Sequence, residues 1–186
     1  HSTSRRQRQM CIRDSLEEVI NILGEIDGRF LDIGTGPGTQ AIRLSKIGFS
    51  VTGTDISKDA IKRARRLSNK VNFKVDNILE TQLNEEGFDF IFDRGCFHVL
   101  APENRRDYVK TVHKVLAKNG FLFLKCFSIK EPMTEGPYKF SAKDISSLFA
   151  RYFNILKIKE TVCQGTLETW PKALFCLLYT SDAADD

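Results

Sequence analysis

Apolar residues recur in two rhythms along this chain, and the rhythms alternate. Leu16, Val19, Ile20 and Leu23 have helical spacing, and Asp27-Gly28 ends that pattern. Residues 29–33 read as a first strand. Thr39 opens a helix whose apolar positions are Ala41, Ile42, Leu44 and Ile47, closed by Gly48. Residues 50–54 form a second strand. Ser57 caps a helix that turns Ala60, Ile61, Ala64 and Leu67 inward. Residues 71–75 alternate as a third strand, and residues 88–92 form a fourth. Residues 102–118 have helical spacing through Tyr108, Val112, Val115 and Leu116, and Asn119-Gly120 stops the helix. Residues 121–127 are so uniformly apolar that burial on both faces is expected. Ser141 caps a short helix running to Ala150. Residues 153–159 and 173–179 follow as two strands without a helix between them, which predicts an antiparallel pair at the sheet edge. This alternation predicts a single α/β domain with a doubly wound sheet, which binds ligands at the carboxyl ends of its strands.

The chemistry is concentrated where the first strand ends. Phe30-Leu31-Asp32-Ile33 runs into Gly34-Thr35-Gly36-Pro37-Gly38, and a second acid, Asp55, closes the next strand. Glycines at a strand-to-helix turn let a ligand approach the backbone, and an acid at the neighbouring strand tip can accept hydrogen bonds from ribose hydroxyls. A dinucleotide fingerprint would place its third glycine where Thr39 stands, and Pro37 removes one backbone N–H that a pyrophosphate would use. Asp32, just before the turn, repels a pyrophosphate and attracts a cation. The pattern therefore suits a nucleoside cofactor with a positively charged amino-acid end.

Asp-x-Gly-x-Gly-x-Gly with a downstream acid resembles the class I S-adenosylmethionine-dependent methyltransferases, and the resemblance covers about Leu16 to Phe175. It implies a seven-stranded Rossmann-like sheet of order 3-2-1-4-5-7-6 with strand 7 antiparallel. It also implies S-adenosyl-L-methionine as cofactor. Asp32, Gly34, Thr35, Gly36 and Gly38 would form the floor of the site, Asp55 would hold the ribose, and Ile56 would cover the adenine. Asp76 would take the adenine amino group, and the backbone N–H of Asn77 a ring nitrogen; the other reading of Asp76 is a cap or loop acid. Asp93-Arg94-Gly95-Cys96-Phe97-His98, together with Gly136-Pro137-Tyr138-Lys139-Phe140-Ser141, is similar to the thiopurine and tellurite-resistance branch. That similarity implies a small-molecule acceptor, a thiol or chalcogen centre among them. It places Asp93 beside both cofactor and acceptor, with His98 as the group that could assist as a base. His98 reads equally well as a residue packing at the start of the next element. Cys96 reads as a small buried thiol, and no Asn-Pro-Pro-Tyr motif of amino-acceptor enzymes is present at this loop. Two other functions remain open: a nicotinamide-dependent oxidoreductase on the same sheet, and a non-catalytic cofactor-binding domain.

Composition adds bounds. The 186 residues carry a net charge of +4, too mild to argue for nucleic acid. The basic run from Lys58 to Lys70 reads as a solvated helix face rather than an RNA-binding one. The cysteines show neither a Cys-x-x-Cys pair nor metal-ligand spacing with His98 or His113, so no metal is expected, and scattered thiols suit a reducing cytoplasm. No membrane association is expected, and the oligomeric state is expected to be monomer or weak dimer. The two ends look foreign. Residues 5–15 resemble a translated sequencing-library adaptor, and residues 176–186 the same adaptor read from the opposite strand. On that reading residues 1–15 and 176–186 are not native, and residues 16–175 are a methyltransferase domain cut at both ends.

Overall fold

In the computed structural model, the described residues are 19–22, 27–163 and 169–180. Of the first expected helix, residues 19–22 are described and helical; the adaptor-like residues 1–15, and residues 181–186 of the tail, lie outside the described residues. The strands are β1 (Arg29–Ile33), β2 (Ser50–Asp55), β3 (Asn72–Val75), β4 (Phe88–Asp93), β5 (Leu116–Ser128), β6 (Lys139–Phe140), β7 (Phe153–Val162) and β8 (Lys172–Thr180). The α-helices are α1 (Thr39–Lys46), α2 (Lys58–Leu67), α3 (Arg105–Val115) and α4 (Ala142–Phe149).

The sheet runs β3-β2-β1-β4-β5-β8-β7, with β8 antiparallel to both neighbours and the two-residue β6 paired to the end of β5. This is the expected order, with β8 inserted between β5 and β7, plus one short strand that the apolar pattern does not reveal. The central parallel strands β1 and β4 are buried on both faces because helices cover both, whereas edge strand β3 buries only Phe73. One core packs α3 and α4 on Leu31, Ile91, Leu122 and Leu124; the other packs α1 and α2 on Phe30, Phe92 and Phe123. Alternate residues of each strand enter opposite cores, so the period-two pattern fixes the register. Phe30 sits edge-on to Phe49 at 5.3 Å and stacks with Phe123 at 6.3 Å, a geometry that adds to plain burial.

Details of these elements differ from the sequence reading. The third helix ends at Val115, and residues 116–118 already belong to β5: Leu116 pairs with Phe88, a register irregularity follows, and Asn119 takes a positive φ of 61°. Leu116 is buried by ladder pairing rather than by helix packing, a choice that helical spacing cannot make. Helical spacing turns Leu67 inward, but it is 64% exposed, because α2 stops there and the chain turns extended at Ser68. At the other end, Cys176, Leu177 and Leu178 continue β8 as buried residues.

Candidate active site

The tips of β1, β2 and β4 meet at one rim because these strands are adjacent, parallel and in register: Asp32 pairs with Gly53 and Phe92, and Ile33 with Thr54 and Asp93. The turn after β1 is built by three left-handed glycines, Gly34, Gly36 and Gly38, at φ of 67°, 55° and 78°. Its backbone is tied down by Thr35 N–H donating to the Thr54 carbonyl at 2.8 Å and Gly38 N–H to the Thr35 carbonyl at 2.9 Å. Gly36 and Gly38 serve opposite needs. A Cβ on Gly36 would meet no atom within 4 Å, so its missing side chain leaves open space. A Cβ on Gly38 would stand 2.4 Å from the Phe73 ring, so that glycine lets α1 approach the sheet.

The open space is a cleft of about 310 Å³ whose walls include Asp32, Gly34, Thr35, Gly36, Gln40, Arg94 and Gly95. Asp32 lies under it, only 4% exposed, and accepts a hydrogen bond from the Thr35 hydroxyl at 2.7 Å. Burial pushes its pKa up to about 7; the Thr35 bond opposes the shift, and the nearby Asp93 and Asp55 charges add to it. A cation entering the cleft would reverse that shift. Asp55 accepts from Gly36 N–H and Ser57 N–H, both at 2.9 Å, so the second acid is fastened to the glycine turn itself. Ile56 follows it with 71% of its surface exposed, an apolar group with no internal packing to explain it.

The remaining candidates fall into two groups. Asp76 and Asn77 organise their own loop. Asp76 accepts from the Thr81 hydroxyl at 2.7 Å and Gln82 N–H at 3.0 Å, and Asn77 caps a short helical turn through Leu79 N–H at 3.1 Å. Both are half-buried, and the backbone N–H of Asp76 donates to the Asp55 carbonyl, which holds this loop beside the second acid. Asp93 points inward. It is fully buried and accepts from Gly95, Cys96 and Phe97 N–H groups at 2.8–3.0 Å and from the Tyr108 hydroxyl at 2.5 Å. Burial raises its pKa while these donors pull it back. Four donors occupy its oxygens, so it shapes the loop carrying Arg94 and Gly95 and does not present a carboxylate to the cleft. Cys96 is driven away from the thiolate by burial and by the charge of Asp93.

His98 sits at the far end of this loop. It is 6% exposed, and its ring meets Phe127 edge-on at 4.9 Å. Burial lowers its pKa to about 4, so it is neutral at physiological pH, and its Nδ1 is buried without a partner among the described residues. Arg94 and Gly95, in the loop expected beside the acceptor, line the cleft, and so does Gln40, which the sequence pattern does not single out. The available signal is register: Arg94 lies one residue past β4, as Gly34 lies one residue past β1, and the two strands are neighbours. No group of three or more His, Cys, Asp or Glu among the described residues could hold a metal ion, and no helix among them is long and apolar enough to cross a membrane.

Residues 30–120 match the profile of a family described as a methyltransferase domain. A Schizosaccharomyces pombe protein named as an uncharacterized methyltransferase is 33% identical over 110 residues, 57% of this chain and 76% of that protein. Human EEF1A lysine methyltransferase 2 is 35% identical over 121 residues, 58% of this chain and 51% of that protein. The chain spans about half the length of the vertebrate relatives it matches. Among solved structures, a Burkholderia thailandensis 1,6-didemethyltoxoflavin-N1-methyltransferase with bound 1,6-didemethyltoxoflavin and S-adenosylhomocysteine superposes with a TM-score of 0.77. It is 21% identical, with 92% of this chain and 79% of that chain covered.

Proposed function

Because the chain belongs to the S-adenosylmethionine-dependent methyltransferases, we propose that it methylates a small nucleophilic acceptor, a thiol or related chalcogen centre. The observation that carries the reading is the cleft itself. A left-handed Gly36 opens onto empty space lined by a buried acid, Asp32, and the backbone N–H of the same glycine is held by a second acid, Asp55. When bound, S-adenosylmethionine supplies a methyl group on a positively charged sulfur, already activated for displacement. Asp55 would accept hydrogen bonds from the ribose hydroxyls, Ile56 would cover the adenine, and Asp76 and Asn77 would close the adenine side. Asp32 would balance the positive amino-acid end. Gly34, Thr35 and Gly36 would form the floor, and Gly38 would keep helix α1 close beneath them. Arg94 and Gly95, held by Asp93, would form the wall towards the acceptor.

These residues mainly bind, orient and exclude water, and orientation alone can supply about 7–11 kcal/mol of a displacement barrier. Among the described residues, the acceptor side offers no strong base. His98 is neutral and weakly basic, Asp93 is occupied by donors, and the Cys96 thiol is held protonated. An acceptor that arrives already deprotonated, such as a thiolate, fits this environment best, and neutral His98 adds no positive charge that would oppose the sulfonium. A protein lysine is the second reading, favoured by the 35% identity to the human lysine methyltransferase.

A screen with methyl-labelled cofactor decides between them. Transfer to low-molecular-weight thiols, rising with pH as the acceptor ionises, supports the first reading. Label confined to lysine of a protein acceptor favours the second. Tight S-adenosylhomocysteine binding without transfer to any thiol, amine or hydroxyl would leave a cofactor-binding domain, and a response to NADH would return the oxidoreductase.

A further inference from the structure

The charge of this molecule is not evenly spread. Between Lys58 and Lys74 there are seven cationic side chains and one acid, Asp59, so this stretch carries more than the whole net charge of +4. The rest of the chain is net negative. All seven cations are exposed, and none enters an ion pair among the described residues. Helix α2 and edge strand β3 bring four of them together: Lys58, Lys62, Arg65 and Arg66 line a groove of about 520 Å³ whose remaining walls are Ile61 and Val75. Arg63 lies on the same helix, Lys74 on β3 and Lys70 between the two. Among the described residues, no carboxylate lines the groove.

Against the sequence expectation of a merely solvated face, the groove leads us to a different reading: we propose that it docks the phosphate backbone of a nucleic acid, without reading its sequence. Lys58, Lys62 and Arg66 follow one another at four-residue spacing, so they share a face of the helix and stand about 6 Å apart along it. A nucleic-acid strand offers a negative charge every ~3.4 Å whatever its sequence, and a row of cations at this density neutralises several phosphates and releases their counterions. A polypeptide would match the row only through an unusually dense acidic tract. Arg65 is already positioned. Its Nε and Nη2 donate to the Phe73 carbonyl at 3.2 and 2.7 Å, which fixes the planar guanidinium and leaves three of its five donors uncommitted to that bond. No aromatic ring among the described residues lines the groove, so there is no platform for stacking bases, and recognition stops at the backbone. β3 is the edge of the sheet, with β2 and β1 between it and β4, on the far side from the His98 loop. A docked strand is therefore a tether that localises the protein, not the methyl acceptor.

The test is fluorescence anisotropy of the whole chain with a short labelled single-stranded RNA of mixed sequence, across a salt series. The comparison is the variant Lys58→Gln/Lys62→Gln/Arg66→Gln, which leaves Arg65 and its bond to Phe73 in place. The expected result is salt-dependent binding that is roughly tenfold weaker in the variant, with the slope of log affinity against log salt reduced by about 2 for the three lost cations. Unchanged circular dichroism and unchanged S-adenosylhomocysteine binding show that the variant is folded and keep this outcome separate from the catalytic reading. No RNA binding at low salt, or equal binding by the variant, overturns the proposal. Tighter binding of a polyglutamate peptide than of RNA at matched charge also overturns it and assigns the groove to an acidic polypeptide.

Discussion

Replacing Asp32 by Asn should make the cofactor-free protein more stable and the cofactor weaker, both in a pH-dependent way. The side chain is buried, its pKa is raised from 3.8 to about 7, and the Thr35 hydroxyl donates to it. Asn keeps an acceptor for Thr35 and removes the ionisable group. In the wild-type protein the folded state holds its proton to higher pH than the unfolded chain does. Between about pH 4 and pH 7 the unfolded state therefore binds fewer protons, and stability falls as pH rises. Raising the carboxyl from 3.8 to about 7 corresponds to about 4 kcal/mol at most, lost across that window and constant above it. Urea denaturation from pH 4 to pH 8 should show this slope in the wild type and a flatter profile in the Asn variant. The variant should gain most at pH 8. Cofactor binding runs the other way. If a cation at the amino-acid end needs the ionised carboxylate, wild-type affinity for S-adenosylhomocysteine should be about tenfold weaker at pH 6 than at pH 8. The variant should be weak and nearly pH-independent. A variant that binds as tightly as wild type with the same pH slope would refute the role given to Asp32.

Three further outcomes follow from the same geometry. Gly38→Ala should destabilise the fold by about 2–4 kcal/mol, read as a lowered Tm, because the backbone is left-handed there and the new methyl would stand 2.4 Å from the Phe73 ring; an unchanged Tm would contradict the packing described. Tyr108→Phe removes one of the four donors to buried Asp93 and should cost about 1–3 kcal/mol in denaturant unfolding, together with a drop in kcat as the Arg94–Gly95 wall loosens. Stability and turnover both at wild-type values would refute that link. With the pKa of His98 lowered to about 4, the pH profile of kcat with a thiol acceptor should show no histidine inflection between pH 5.5 and 8, and His98→Gln should leave the shape of that profile unchanged; an inflection that disappears in the variant would instead make His98 a working base.

The fold was legible where one physical signal dominated. Alternation and buried apolar runs defined the parallel strands, and the glycines after Asp32 fixed the turn whose left-handed conformations only they adopt easily. Where two structures satisfy the same pattern, the sequence was mute. Leu116 continues the helical spacing of Tyr108, Val112 and Val115, yet it pairs with Phe88, since burial in a ladder and burial under a helix look identical in one dimension. The β6 pairing of Lys139 and Phe140 is too short to have a period. The site was legible in its residues more than in their directions. Asp93 stands at a strand tip as Asp32 does, but neighbouring parallel strands present Asp93 and Ile33 in one row and Phe92 and Asp32 in the next, so the two acids face opposite cores. That half-turn is why Asp93 meets Tyr108 while Asp32 underlies the cleft. Arg94 belongs to the Asp-Arg-Gly segment, but its approach to the glycine turn depends on β1 and β4 being neighbours, which spacing along one chain does not reveal.

The most direct test of the central claim is calorimetric titration of this chain with S-adenosylhomocysteine, alongside NADH and alongside the Gly36→Val variant, whose side chain would enter the open space of the cleft. The account predicts saturable one-to-one binding by the wild type, no heat with NADH, and loss of binding in a variant that still folds. Wild-type protein that gives no heat with S-adenosylhomocysteine, or a Gly36→Val variant that binds it undiminished, would contradict it.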